Sequence, residues 1–78
     1  MNIRASYDMT IKLKNETSGQ EETFFLVRVE EENWKENKIS PYGPIGSAVF
    51  SKTIGNTVEA FFDDGTSKRY KILAIEPT

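Results

Sequence analysis

The sequence predicts an α+β domain in which a four- or five-stranded, mostly antiparallel sheet packs on one short helix. Three observations carry this expectation. Alternation of apolar and polar residues, the period of a half-buried strand, recurs in separate stretches. Polar turn clusters at 15–20 and 63–66 join those stretches in pairs. Between the pairs lies one proline-initiated segment with apolar residues at helical spacing.

The first strand is expected over 9–14, where Met9, Ile11 and Leu13 alternate with Thr10, Lys12 and Lys14. Thr17, Ser18 and Gly19 mark the turn that follows. A second strand is expected over 23–29. There Phe25, Val27 and Val29 are taken to face the main core, and Phe24, Leu26 and Arg28 the other side. Glu30, Glu31, Glu32 and Asn33 break the pattern and read as a solvated loop, with Trp34 folding back as a plug over the core. Pro44 is placed to open a helix because its missing N–H costs nothing there. Ile45, Ala48 and Val49 give that helix one apolar face, and Gly55 is expected to allow a left-handed turn beyond it. The strand at 57–62 turns through Asp63-Asp64-Gly65-Thr66 into a last strand at 67–76, with Tyr70, Ile72 and Ala74 on one face. The expected core is Ile11, Phe25, Val27, Ile45, Val49, Val58 and Ile72.

A chain of 78 residues allows one domain and a thin margin of stability. The chain contains neither cysteine nor histidine. Disulfides, thiolate metal sites and Ser-His triads are therefore excluded, and no cofactor is expected. A net charge of −2 disfavours a non-specific nucleic-acid binder. Lys68, Arg69 and Lys71 flank Tyr70, a pattern seen in single-strand binders, but Tyr70 is read as facing the core. Adjacent Asp63 and Asp64 read as turn residues rather than a catalytic pair. No apolar run is long enough to span a membrane, and the N-terminus lacks the apolar stretch of a signal peptide.

The order of motifs in the second half resembles a known family. Lys38-Ile39-Ser40-Pro41-Tyr42-Gly43-Pro44-Ile45-Gly46-Ser47-Ala48-Val49-Phe50 is similar to the Ile-Ser-x-x-Ser-Pro-Leu/Ile-Ala/Gly-x-Ala-Leu segment of GreA/GreB-type transcription elongation factors. Ile54-Gly55-Asn56-Thr57-Val58-Glu59 resembles the family's Gly-Asp-x-Val-Glu step. Gly65 through Arg69-Tyr70-Lys71-Ile72-Leu73-Ala74-Ile75 resembles its closing Gly-x-x-x-x-Tyr-x-Ile-x-x-Ile. Phe25-Leu26-Val27 and Trp34 also sit where the family has similar residues. The likeness covers roughly 9–76, taken as the core of a single GreA/GreB C-terminal-like domain over 1–78.

This resemblance implies an FKBP-like fold and a bacterial, cytoplasmic transcription role. It implies docking on RNA polymerase at the rim of the secondary channel, on a coiled coil of the largest subunit. In the family a separate N-terminal coiled coil carries the acidic tip that assists transcript cleavage. Only 1–8 precede the domain here, so cleavage activity is not expected. A monomer that contacts no nucleic acid directly is expected. Gly43 departs from the family's serine, which would cap the helix; glycine costs only about a few tenths of a kcal/mol in comparison.

The docking surface is expected at Ser40, Tyr42, Gly43, Pro44 and Ile45, with Pro44 and Ile45 as its apolar centre. Prolines and glycines stiffen this loop, and a rigid loop loses little entropy on binding. Tyr42 is of a type enriched at interface hot spots, with covering the sheet edge as its alternative use. Two other roles follow from the fold. One is an accessory interaction domain of a larger nucleic-acid enzyme. The other is a peptidyl-prolyl isomerase with Phe24, Tyr42, Phe61 and Tyr70 around an aromatic pocket.

Overall fold

A computed structural model describes residues 3–78. Strand β1 (Met9–Asn15) forms a hairpin with β2 (Glu21–Leu26). Two short 3-10 turns, Val29–Glu31 and Trp34–Glu36, lead to a two-residue strand β3 (Lys38–Ile39). Helix α1 (Pro44–Val49) follows, then the hairpin of β4 (Thr57–Phe61) and β5 (Ser67–Pro77). The five strands form one sheet in the order β3-β2-β1-β5-β4. All neighbours are antiparallel except β2 and β3, which run parallel and pair Phe25 with Lys38 and Leu26 with Ile39.

Both hairpin turns are set by local side-chain chemistry. The Asn15 Oδ1 accepts from the backbone N–H groups of Thr17 (2.9 Å) and Ser18 (3.1 Å), closing an Asx-type turn. In the second hairpin the Asp64 Oδ1 accepts from the Thr66 N–H (3.0 Å) and hydroxyl (2.6 Å). Gly65 sits between them at φ 89°, where a Cβ would be strained. These bonds, the Thr66 hydroxyl first, hold the Asp64 carboxyl below its ordinary pKa. The turn reading of this carboxylate pair is thereby matched.

The core comprises Ile11 and Leu13 of β1, Phe24 and Leu26 of β2, Ile39 of β3, Ile45 and Val49 of α1, and Val58, Ala60, Tyr70, Ile72 and Ile75 of the last hairpin, joined by Ala5. Burying a side chain of this size stabilises by about 1.5–3 kcal/mol. Five of the seven expected core residues are present; Phe25 and Val27 are not. The face of β2 is reversed relative to the sequence reading. Phe24 lies opposite the inward-pointing Ile11, and Met9 opposite Leu26, so period-two alternation turns Phe25 outward. Phe25 and Val27 are half-buried on the outer side, where they line a cleft of about 470 Å³ ringed by Asp8, Glu31 and Lys38. Val29 is exposed.

On β5 the alternation slips. Lys12 faces Ala74 while Leu13 faces Ile72, which leaves Leu73 as an extra residue on β5. Ile75 therefore replaces the expected Ala74 inside. The segment before β1 is also part of the packing. Ala5 is buried and exchanges backbone hydrogen bonds with Lys52 and Ser51, each 2.8 Å. Tyr7 meets Phe50 edge-on at 5.4 Å, and the Arg28 guanidinium lies 4.7 Å above the Tyr7 ring. The expected left-handed turn beyond α1 comes in two places, at Ser51 (φ 67°) and then at Gly55 (φ 92°).

Candidate functional site

The loop from β3 into α1 is organised around Ser40. Ile39 and Ser40 are completely buried, so the end of β3 anchors the loop from inside. Every polar group of Ser40 that the loop needs is engaged. Its carbonyl accepts from the Gly43 N–H at 3.1 Å, closing the turn over Pro41 and Tyr42. Its Oγ accepts from the Tyr42 N–H at 3.3 Å. Its N–H and its hydroxyl both donate to the Glu32 Oε2, at 3.3 and 3.1 Å. A buried hydroxyl and amide satisfied in this way fix the backbone on either side.

Helix α1 then packs against the same serine. A Cβ added to Gly46 would lie 1.8 Å from the Ser40 carbonyl oxygen, so only glycine allows the helix to seat on the loop. Gly43 is the N-cap residue, offers no side-chain cap, and hands over to Pro44 at the first turn. The Ser47 N–H donates to the Gly43 carbonyl at 2.9 Å. Ile45, Gly46 and Val49 are buried, as the i, i+4 spacing of the two branched residues requires.

This arrangement divides the five residues singled out by the sequence. Tyr42 is 81% exposed, which rules out a role in covering the sheet edge. Gly43 and Pro44 are half-buried and face the surface beside it. Ser40 and Ile45 are buried, at 0% and 4% exposure, and support the loop from within. Ile45 is thus not the apolar centre of an exposed patch; its helical position points it into the core. Trp34 takes that place instead. It is not a plug over the core but 45% exposed, and its Cζ2 lies 3.4 Å from where a Gly43 Cβ would stand. The accessible surface therefore comprises Tyr42, Gly43, Pro44 and Trp34, with Glu32 beneath.

Sequence reasoning missed Glu32 here and misplaced Trp34, which it read as a plug over the core. The run of acids reads as solvent-facing. No local spacing marks one of its members as the hydrogen-bond partner of a serine eight residues on. The four aromatics considered for an isomerase pocket do not come together: Phe24 and Tyr70 are core residues, whereas Tyr42 and Phe61 are exposed. The Tyr70 hydroxyl has its pKa raised, first by burial and then by the nearby Glu22 carboxylate.

Comparison with known proteins settles the family. The described family "Transcription elongation factor, GreA/GreB, C-term" matches residues 2–77. The chain belongs to the GreA/GreB C-terminal family. GreA of Christiangramia forsetii is 41% identical over 58 residues, 74% of this chain and 37% of that protein. GreA of Syntrophomonas wolfei is 41% identical over 66 residues, 85% of this chain and 41% of that protein. The chain thus spans less than half the length of these curated relatives. Among solved structures, a GreA/GreB factor from Nitrosomonas europaea superposes with a TM-score of 0.74 at 25% identity, covering 92% of this chain and 59% of that one. The GreA factor homolog 1 of Thermus thermophilus shares the fold, with a TM-score of 0.81 at 21% identity over 96% of this chain and 49% of that one. No described helix of this GreA/GreB-type domain is long and apolar enough to cross a membrane.

Proposed function

We propose that this domain is an RNA polymerase-binding module of a Gre-type elongation factor. It docks near the secondary channel, on the coiled coil of the largest subunit, in the bacterial cytoplasm. It brings no transcript-cleaving chemistry of its own. The carrying observation is that the family's signature loop presents exposed Tyr42 on a backbone held by buried Ser40, with exposed Trp34 of the preceding 3-10 turn beside Gly43. Large aromatics on a preorganised loop are the pattern of an interface hot spot, because little entropy remains to be lost on docking. Membership of a family of transcription elongation factors supports RNA polymerase as the partner.

The test is a titration of isotope-labelled domain with polymerase, followed through backbone amides and the indole N–H of Trp34, the only tryptophan. Shifts are expected at 40–46 and at Trp34, and the isolated coiled coil should compete. Replacing Tyr42 by Ala should weaken binding by roughly 1–3 kcal/mol, the hot-spot range, while leaving the thermal melt in place because the ring is exposed. Shifts confined to 66–71, with 40–46 and Trp34 silent, would instead make the exposed bases Lys68, Arg69 and Lys71 the contact.

A further inference from the structure

We propose that Glu32 is the positioning residue of the docking loop, its carboxylate holding Ser40 and standing beside the uncapped Gly43. The consequence for binding rests on the docking reading above; the geometry does not.

Three facts converge on one carboxylate oxygen. The Glu32 Oε2 accepts both the N–H (3.3 Å) and the hydroxyl (3.1 Å) of Ser40. The Ser40 Oγ passes this order on by accepting from the Tyr42 N–H at 3.3 Å. A Cβ on Gly43 would stand 3.2 Å from that same Oε2, closer than ordinary van der Waals contact. A side chain at position 43 would therefore press on the Glu32 carboxylate, with the Trp34 ring in contact on its other side at 3.4 Å. Gly43 and Glu32 are two halves of one arrangement. The helix start lacks a side-chain cap of its own, and the carboxylate of Glu32, which lies between the two 3-10 turns, ties down the loop beside it.

Charge pairing does not explain Glu32. The ion pairs among the described residues are Lys12–Glu21 and Lys38–Glu36. The partners of the Glu32 carboxylate are instead two donors of a fully buried serine. Removing the carboxylate leaves those donors unsatisfied, which costs more than the hydrogen bonds themselves contribute. The loop would then rearrange, and Tyr42 with it.

The assignment yields a test in the free domain and one with polymerase. In the free domain, Glu32→Ala should speed amide exchange at Ser40 and Tyr42 by about tenfold, the scale of a lost hydrogen bond to a charged group. Amides of β1 and β5 should stay as they were. Glu32→Gln keeps an acceptor oxygen of the same reach and should hold exchange near the parent value. With polymerase, Glu32→Ala should weaken binding by roughly fivefold to tenfold, and Glu32→Gln should restore most of it. Gly43→Ser should act with opposite sign in two backgrounds. Beside Glu32 it crowds the carboxylate and weakens binding; beside Ala at position 32 its hydroxyl has room and recovers affinity.

Unchanged exchange at Ser40 and Tyr42 in Glu32→Ala would overturn the assignment. So would equal losses in the Ala and Gln variants, which would mean that the charge itself meets the partner, or a Gly43→Ser effect of the same sign in both backgrounds. If the parent domain fails to bind polymerase, the docking reading falls, and the exchange measurements still decide what Glu32 does.

Discussion

Replacing Gly46 by Ala tests how α1 is seated. The added Cβ would come 1.8 Å from the Ser40 carbonyl oxygen and 2.5 Å from its carbonyl carbon. Both are backbone atoms anchored by the completely buried Ser40, so no flexible side chain can give way. To reach even a tight contact, helix and loop must part by roughly 1 Å or more, which strains the Gly43 N–H to Ser40 carbonyl bond. Overpacking commonly costs about 1–3 kcal/mol and sometimes more. The better helix propensity of Ala returns at most about 1 kcal/mol. Because the clash is with backbone, the expected net loss is about 3 kcal/mol, against a total of roughly 4–12 kcal/mol for a chain of this length. For a domain of this size that lowers Tm by roughly 12–24 °C. The assay is thermal unfolding by circular dichroism, with Gly43→Ala as the paired control. A Cβ at Gly43 meets only the ends of the Glu32 and Trp34 side chains, at 3.2 and 3.4 Å, and should shift the melt by only about a few degrees. If Gly46→Ala melts within about 5 °C of the parent, the close approach of helix and loop is wrong.

Other expectations follow from burial. Val49→Asp places an unpaired charge at a completely buried position and should abolish cooperative unfolding; a retained sigmoidal melt would contradict the helix face described above. Ile45→Lys should unfold the domain rather than selectively weaken docking, since only 4% of Ile45 is exposed; a folded variant with impaired polymerase binding would return Ile45 to the surface. The raised pKa of Tyr70 fixes a pH dependence. Above about pH 10 the unfolded chain loses this phenolic proton before the folded one, so stability falls as pH rises through that window. Melts of the parent and of Tyr70→Phe between about pH 8 and 11 should diverge, with the parent losing more; parallel curves would show that Tyr70 is not desolvated.

The legible parts of this fold are those whose causes are local. Both hairpins were readable because Asn15 and Asp64 close their turns with their own side chains. The helix start was readable because Pro44 suits a first turn. The face of β2 was not, because the adjacent pair Phe24-Phe25 supports either phase; what decides it is Ile11 on the neighbouring strand. Ile75 was missed for a related reason: one extra residue at Leu73 reverses the alternation, and its cause lies in the pairing with β1.

The loop between β3 and α1 shows the same division. The exposure of Tyr42 was readable because prolines and glycines around an aromatic announce an exposed, stiff loop, and it is the most exposed of the large apolar side chains described. Ile45 was misassigned although the information was present. The spacing that paired it with Val49 as a buried helix face already excluded it from an exposed patch. Glu32 is different in kind. Its role depends on a serine hydroxyl eight residues away and on the absence of a side chain at Gly43, two conditions that meet only once β3 lies parallel to β2 and brings Ser40 under the acidic turn. A departure from a family motif is thus incomplete evidence when taken alone. The glycine that looks like a lost cap in the one-dimensional pattern has, in three dimensions, another residue's carboxylate close against it.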